Sequence, residues 1–156
     1  MYLRDRKGIE GLPLRLMVVA LLISLTLPIA LGTLQGFQEQ TQVRAGMRIA
    51  QEIGLAATSA YASGEGNVRM VKLDWPDGQQ GAALKLGLCG PVGSLLSTRL
   101  DVIVNGVVSG QHFLSDPLVH LVSGDEERLE IGPGCEGLRL SCVVEADRMW
   151  VQVEVV

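Results

Sequence analysis

Aromatic residues are scarce in this chain of 156 residues, which has two tryptophans, two tyrosines and two phenylalanines. A core must therefore be built from Val, Leu, Ile and Ala, and a stacking surface for bases or sugars has few rings to use. Basic residues are outnumbered by acidic ones, 13 to 17, and they form no run beyond the N-terminus. Nucleic acid is therefore not an expected partner.

Histidine is also rare, since His112 and His120 are the only two in the chain. No acid or thiol stands near them at metal-ligand or triad spacing, so we expect no metal, no cofactor and no catalytic activity. Residues 132–137 are rich in glycine but lack the Lys-Ser or Lys-Thr of a phosphate loop, and residues 125–127 form an acidic turn without EF-hand spacing. Both are predicted to be loops, and no small-molecule substrate is indicated.

A long stretch without charge lies near the start of the chain. Residues 16–38 contain no Asp, Glu, Lys or Arg, and their apolar core has the length of a helix that crosses a bilayer. We place the membrane segment at about residues 12–34. The first cation after it is Arg44, whereas four precede it: Arg4, Arg6, Lys7 and Arg15. This bias predicts a single-pass protein of the cell membrane with its C-terminal part outside.

Three kinds of export signal fit such a segment. One is an uncleaved signal anchor. Another is a conventional signal peptide, for which Ala30, Leu31 and Gly32 offer a small-residue cleavage pattern. In the third, the cleavage site precedes the apolar segment, which stays in the mature protein. These three alternatives predict different N-termini for the mature chain.

Residues 6–11 fit the third kind of export signal, since they read Arg-Lys-Gly-Ile-Glu-Gly directly before the apolar segment. This leader resembles the class III signal peptide of archaellins and archaeal type IV pilins, which a prepilin peptidase cuts after a glycine preceded by Lys or Arg. The resemblance implies a leader of residues 1–8 and a processing site at Lys7, Gly8 and Ile9. It also implies that prepilin peptidase and other pilin subunits are partners.

The function implied by this resemblance is structural. The chain would be a subunit of an extracellular type IV pilus-like filament, with a role in adhesion or assembly. Many archaellins are N-glycosylated, whereas this chain has no Asn-x-Ser/Thr sequon, so a minor component fits better than a major one. The alternative is a membrane-tethered extracellular binding module that does not polymerise.

Small and polar residues within the apolar segment are candidates for helix packing. Lipid tails are as apolar as leucine, so close contacts between membrane helices form where side chains are small or polar. The residues that meet this condition are Ala20, Ser24, Ala30 and Gly32.

The chain after the membrane segment is predicted to be first helical and then β. Apolar residues recur at helical spacing in residues 36–62, so one long helix is expected over 9–62, softened by Pro28, Gly46 and Gly54. The alternative is a membrane anchor followed by a separate amphipathic helix that packs on the outer domain. Residues 63–66 end it, and 63–156 should form the extracellular β domain. The predicted strands are 67–74, 82–89, 98–104, 107–113, 118–122, 128–131, 138–145 and 149–156. The expected fold class is α+β, a long transmembrane helix followed by an antiparallel β-sandwich-like domain.

The three cysteines, Cys89, Cys135 and Cys142, all lie in this C-terminal half and are disulfide candidates if it is exported. Cys135 and Cys142 flank one loop, and an oxidised pair there would close a short ring. A bond between Cys89 and Cys135 is slightly favoured, because both lie in Gly/Pro loops. Cys142 alternates with apolar residues in a strand pattern and would then be a buried thiol.

Overall fold

The computed structural model describes residues 7–76, 84–125 and 127–156. It contains one α-helix, one short 3₁₀ helix over Leu95–Thr98 and eight strands within these ranges. The chain separates into two compact units, Met1–Gln38 and Glu39–Val156. Residues 1–6 of the predicted leader and residues 82–83 of the second predicted strand lie outside the described residues, as does Glu126 of the acidic turn.

The helix α1 runs from Lys7 to Ser63, close to the predicted range of 9–62. Pro13 and Pro28 lie inside it without ending it. In the first unit the described side chains from 13 to 33 are all exposed, including twelve large hydrophobic residues that begin with Leu14 and Leu16. The helix is long and apolar enough to cross a membrane. Its composition and exposure indicate a candidate membrane segment.

The second half of α1 belongs to the C-terminal unit and has one buried face. Five of its apolar residues have no exposed surface, at mostly helical steps of three and four: Ile49, Ala50, Ile53, Ala57 and Ala60. They join one hydrophobic cluster with buried side chains of the strands. The compact unit accordingly begins at Glu39, whereas the β domain was expected to begin at residue 63.

Two glycines of this helix sit where it comes closest to the strands. A Cβ atom on Gly46 would lie 2.5 Å from Cγ1 of Val102, and one on Gly54 would lie 2.8 Å from Nε2 of His112. Neither position has space for a side chain. The residues that the sequence marked as soft points of the helix therefore permit close helix-to-sheet packing.

The strands form two four-stranded sheets. The first has the order β1-β7-β8-β5 and the second the order β4-β3-β2-β6. Their bounds are β1 Val68–Lys72, β2 Leu84–Leu88, β3 Arg99–Val104, β4 Val107–Phe113, β5 Leu121–Ser123, β6 Leu129–Ile131, β7 Gly137–Glu145 and β8 Arg148–Val155. All eight correspond to predicted strands, and the fold class α+β is confirmed.

Two tight hairpins connect neighbouring strands. Asn105 and Gly106 have φ of 54° and 80°, as a two-residue type I′ turn between β3 and β4 requires. Ala146 and Asp147 have φ of 48° and 63° between β7 and β8. Both turns fix the register of their strands, so that Val104 pairs with Val107 and Glu145 with Arg148.

One strand pair departs from the antiparallel prediction, because β5 pairs with β8 in parallel. A two-residue hairpin forces neighbouring strands to run in opposite directions, but a long connection leaves their direction open. β5 follows β4 of the other sheet through residues 114–120, and β8 lies much later in the chain. The direction of β5 is therefore not set by a local turn.

Candidate functional site

The predicted processing site lies in the first described turn of α1, which includes Lys7, Gly8 and Ile9. Cleavage after Gly8 would leave the exposed apolar segment intact. The mature chain would keep the whole candidate membrane segment.

The hydroxyl groups of the apolar segment bond to their own helix. Ser24 donates to the carbonyl oxygen of Leu21 at 2.9 Å, Thr26 to that of Leu22 at 2.9 Å and Thr33 to that of Ala30 at 2.8 Å. A hydroxyl paired in this way needs no water, which lowers the cost of placing it in lipid. Ser24 thus has an intrahelical partner in addition to any neighbour that it would meet in an assembly.

The four predicted helix-packing residues are all exposed but do not share one face. Ala20 and Ser24 are one turn apart on the same face of α1. At 100° per residue, Ala30 lies about 80° to one side of Ala20, and Gly32 lies about 120° to the other side. Only Ala20 and Ser24 form a local patch of small side chains.

The three cysteines are all buried and free in the structure. Burial raises the pKa of Cys89 to about 12, and it also raises the pKa values of Cys135 and Cys142. The Cys135 thiol donates to the carbonyl oxygen of Gly137 at 3.4 Å. A raised pKa keeps a buried thiol protonated and therefore weakly nucleophilic at neutral pH. The disulfide favoured between Cys89 and Cys135 stays a prediction.

A buried carboxylate lies on the second sheet, on the face opposite the hydrophobic cluster. Leu100, Val102 and Val104 of β3 enter the cluster, so the alternating residues Arg99 and Asp101 point to the other side. The Asp101 side chain is only 1% exposed. An ionised carboxylate at such a position needs cationic partners.

Two arginines supply these partners. Nη2 of Arg99 donates to Oδ2 of Asp101 at 3.0 Å, and Nε of Arg99 lies 2.8 Å from Oδ1. Nη2 of Arg128 contacts the same Oδ2. The carboxylate is therefore shared between two guanidinium groups, each about one quarter exposed.

Gly87 makes the second contact possible. It lies on β2 directly beside Asp101 in the ladder, between β3 and β6. A Cβ atom at Gly87 would lie 2.6 Å from Nη2 and 2.9 Å from Nε of Arg128. The Arg128 side chain therefore crosses β2 through the space that a side chain at position 87 would fill.

An open groove of about 480 Å³ lies over this ion cluster. Its floor includes the apolar side chains of Ile103 and Val108. Its charged residues are Lys85, Arg99, Arg128, Asp101 and Glu130. Nζ of Lys85 lies 3.3 Å from Oε2 of Glu130. With three cations and two acids, the groove carries a formal charge of +1 in a chain whose net charge is −4.

A serine and a histidine also meet, which the sequence gave no reason to expect. Oγ of Ser97 lies 2.7 Å from Nδ1 of His120 and donates to the carbonyl oxygen of Ser94 at 2.7 Å. Ser97 has no exposed surface, so its hydroxyl cannot reach a substrate. Burial lowers the pKa of His120. The pair holds the 3₁₀ helix Leu95–Thr98 against the segment before β5.

The other histidine and the glycine-rich segment lie apart from these contacts. His112 is on β4 and packs beside Gly54 of α1, away from the Ser97 contact of His120. Residues 132–136 connect β6 to β7, as expected for a loop. No group of three metal-ligating side chains occurs within residues 7–76, 84–125 and 127–156.

The chain was compared with known proteins in three ways. It matches no family model, no curated protein and no solved structure. Its own residues and contacts are therefore the basis for a functional proposal.

Sequence reasoning missed the Asp101 cluster because its members are far apart in the chain. Asp101 and Arg128 are 27 residues apart, and Gly87 lies on a third strand. One local signal was present: Arg99 and Asp101 alternate with Leu100 and Val102, which places both charges on one face of a strand. Two neighbouring charges inside a strongly apolar strand indicate a paired site.

Proposed function

We propose that this chain is a membrane-inserted subunit of an extracellular filament of the archaeal type IV pilus kind. The observation that carries the proposal is the exposed apolar segment of α1 behind an Arg-Lys-Gly leader. Such a segment would cross the membrane before assembly and pack against identical helices afterwards. Both settings require a helix that is apolar on all sides, with its hydroxyl groups already paired.

The C-terminal unit is then the part that faces the outside. More cations precede the apolar segment than follow it closely, which favours a cytoplasmic N-terminus. We infer that the two sheets pack as a β-sandwich-like domain, since their buried side chains belong to one hydrophobic cluster with the second half of α1. In a filament this domain would supply the contacts for adhesion or assembly.

Processing by a prepilin peptidase is part of the proposal. The cut would fall between Gly8 and Ile9, and the new N-terminus would begin in the first turns of α1. The absence of a glycosylation sequon favours a minor or initiating subunit over the major subunit of a surface filament.

Helix packing in the filament can be separated from membrane insertion by one substitution. Ala20→Leu keeps the segment apolar, so insertion is retained, but it enlarges the small patch formed with Ser24. We expect the variant to stay in the membrane fraction and to be depleted from filaments sheared off the cells. Val18→Leu, at an exposed and already large side chain, is the matched control and should leave both fractions unchanged.

A charge in the patch of Ala20 and Ser24 should impair both membrane insertion and helix packing in the filament. Ser24→Arg places a cation near the middle of the segment, at a cost of about 2.5–3.5 kcal/mol on insertion scales. The variant should therefore be lost from membranes as well as from filaments. If the wild-type protein is missing from every sheared fraction, the filament proposal is rejected.

The second candidate is a membrane-tethered binding module that does not polymerise. The groove over Asp101 favours it, because a charged concave surface suits a ligand more directly than it suits a filament contact. The two candidates differ in the shearing experiment, since a tethered module would be found in membranes alone.

A further inference from the structure

We propose that the groove over Asp101 is a binding site for an oxyanion, a carboxylate or phosphate group attached to a small apolar body. The ion cluster beneath the groove holds one more cation than acid once Asp101 is shared between Arg99 and Arg128. The proposal is independent of whether the chain polymerises.

The guanidinium groups keep donors available for a ligand. Arg128 contacts Asp101 through Nη2, and among the described residues no acceptor pairs with its Nη1. Arg99 donates to Asp101 through one terminal nitrogen, and its buried Nε lies 2.8 Å from Oδ1 without hydrogen-bond geometry. Each arginine has five N–H donors in a planar fork, which matches the oxygens of a carboxylate or phosphate.

The carboxylate of Asp101 holds these donors in place without occupying the groove. Its side chain is 1% exposed, so it lies beneath the arginines and fixes their orientation from below. Gly87 leaves Arg128 room to lie flat over β2. A pair of arginines fixed in this way loses little side-chain freedom when an anion binds.

The rest of the groove sets the character of the ligand. Ile103 and Val108 offer an apolar surface beside the cations, which favours a small hydrocarbon group next to the anion. Lys85 and Glu130 lie at the rim as an exposed ion pair. Glu130 opposes an incoming anion, and Lys85 attracts it.

The opposite charges of Glu130 and Lys85 provide a test, because neutralising each of them should change anion binding in opposite directions. An ion cluster with a purely structural role would show no such effect. Glu130→Gln removes the opposing charge, and Lys85→Gln removes the attracting one. An elementary charge about 6 Å from a bound anion in water changes its affinity roughly threefold. Glu130→Gln should therefore tighten binding about threefold, and Lys85→Gln should weaken it about threefold. Both residues are about half exposed, so the fold tolerates either change.

The other sheet offers a matched control. Nη1 of Arg139 lies 3.5 Å from Oε2 of Glu154, and both side chains are also about half exposed. This pair joins β7 to β8 on the other sheet, away from the groove. Glu154→Gln and Arg139→Gln change the net charge in the same way but should leave anion binding unchanged.

The measurement is a titration of the ¹⁵N-labelled full chain in zwitterionic detergent micelles. Isovalerate and isobutyl phosphate, which carry the same isobutyl group, are added separately, with sodium chloride adjusted to hold the ionic strength constant. The backbone amides of Gly87 and Asp101 report on the groove, and those of β7 report on the other sheet. We expect saturable shifts at Gly87 and Asp101, and the tighter of the two probes identifies the carboxylate or the phosphate as the preferred group.

Arg128→Gln should weaken binding by at least about tenfold, because it removes a charged hydrogen bond to the ligand. The proposal would be overturned if the amide chemical shifts of Gly87 and Asp101 increased linearly with probe concentration, without saturating at concentrations that fill a millimolar site. Equal effects of Glu130→Gln and Glu154→Gln would also overturn it, since the response would then follow net charge and not the groove.

Discussion

Substituting Gly87 by alanine tests the Asp101 cluster most sharply. Strand propensity predicts that the substitution stabilises the protein, whereas the contact with Arg128 predicts that it destabilises it. Alanine in the middle of a strand should stabilise the protein by about 0.5–1 kcal/mol relative to glycine. Here the new methyl group would lie 2.6 Å from Nη2 of Arg128, well inside contact distance. The guanidinium group would have to leave Asp101.

The cost follows from the burial of Asp101. Losing one charged hydrogen bond to a carboxylate costs about 1.5–3 kcal/mol, while Arg99 stays as the remaining partner. The stabilisation by alanine in the strand offsets part of this loss, so Gly87→Ala should lower the free energy of unfolding by about 1–2 kcal/mol. In the Arg128→Ala background the collision is absent, and Gly87→Ala should stabilise the protein.

A double-mutant cycle measures this change of sign. Trp75 and Trp150 both belong to the C-terminal unit, so their fluorescence reports its unfolding in urea while the full chain stays in micelles. The expected coupling between positions 87 and 128 is about 2 kcal/mol. The reasoning is refuted if Gly87→Ala has the same effect in both backgrounds.

Two further predictions concern the C-terminal unit. A fragment that begins at Glu39 should unfold cooperatively, whereas one that begins at residue 63 should not. The shorter fragment lacks Ile49 and Ile53, whose burial stabilises the fold by about 1.5–3 kcal/mol each. Equal urea transitions of the two fragments would contradict this. Because burial raises the pKa of Cys89 from 9.0 to about 12, its contribution to stability should be complete below pH 9 and be lost as the pH rises toward 12. The free energy of unfolding of Cys89→Ala should therefore fall less steeply than that of the wild type over this range, and parallel curves would show that the thiol is not buried.

Much of the fold could be predicted because its signals are local. Asn105-Gly106 specifies a hairpin, and the alternation of Leu140 and Cys142 with Arg139 and Ser141 specifies a half-buried strand. At its end this alternation fails, since Val144 is exposed where the pattern predicted burial. Strand ends lack the neighbouring elements that would cover them.

The rest depended on contacts between distant segments. Helical spacing showed that residues 36–62 form a helix, but not that Ile49 and Ile53 complete the core of the strands. From the sequence, Gly46 and Gly54 only weaken a helix. The structure shows why glycine is needed there, because Val102 and His112 fill the space that a side chain would take. The Asp101 cluster likewise needs β2 and β3 side by side, with Arg128 beside them.

The N-terminus of the mature protein tests the central claim most directly. Intact mass and N-terminal sequencing of the protein recovered from the cell surface would define it. The proposed processing predicts a chain that begins at Ile9, with the apolar segment retained. A chain that begins at Met1 would contradict it in favour of an uncleaved anchor, and a chain that begins near Thr33 would show that the segment is removed as a conventional signal peptide.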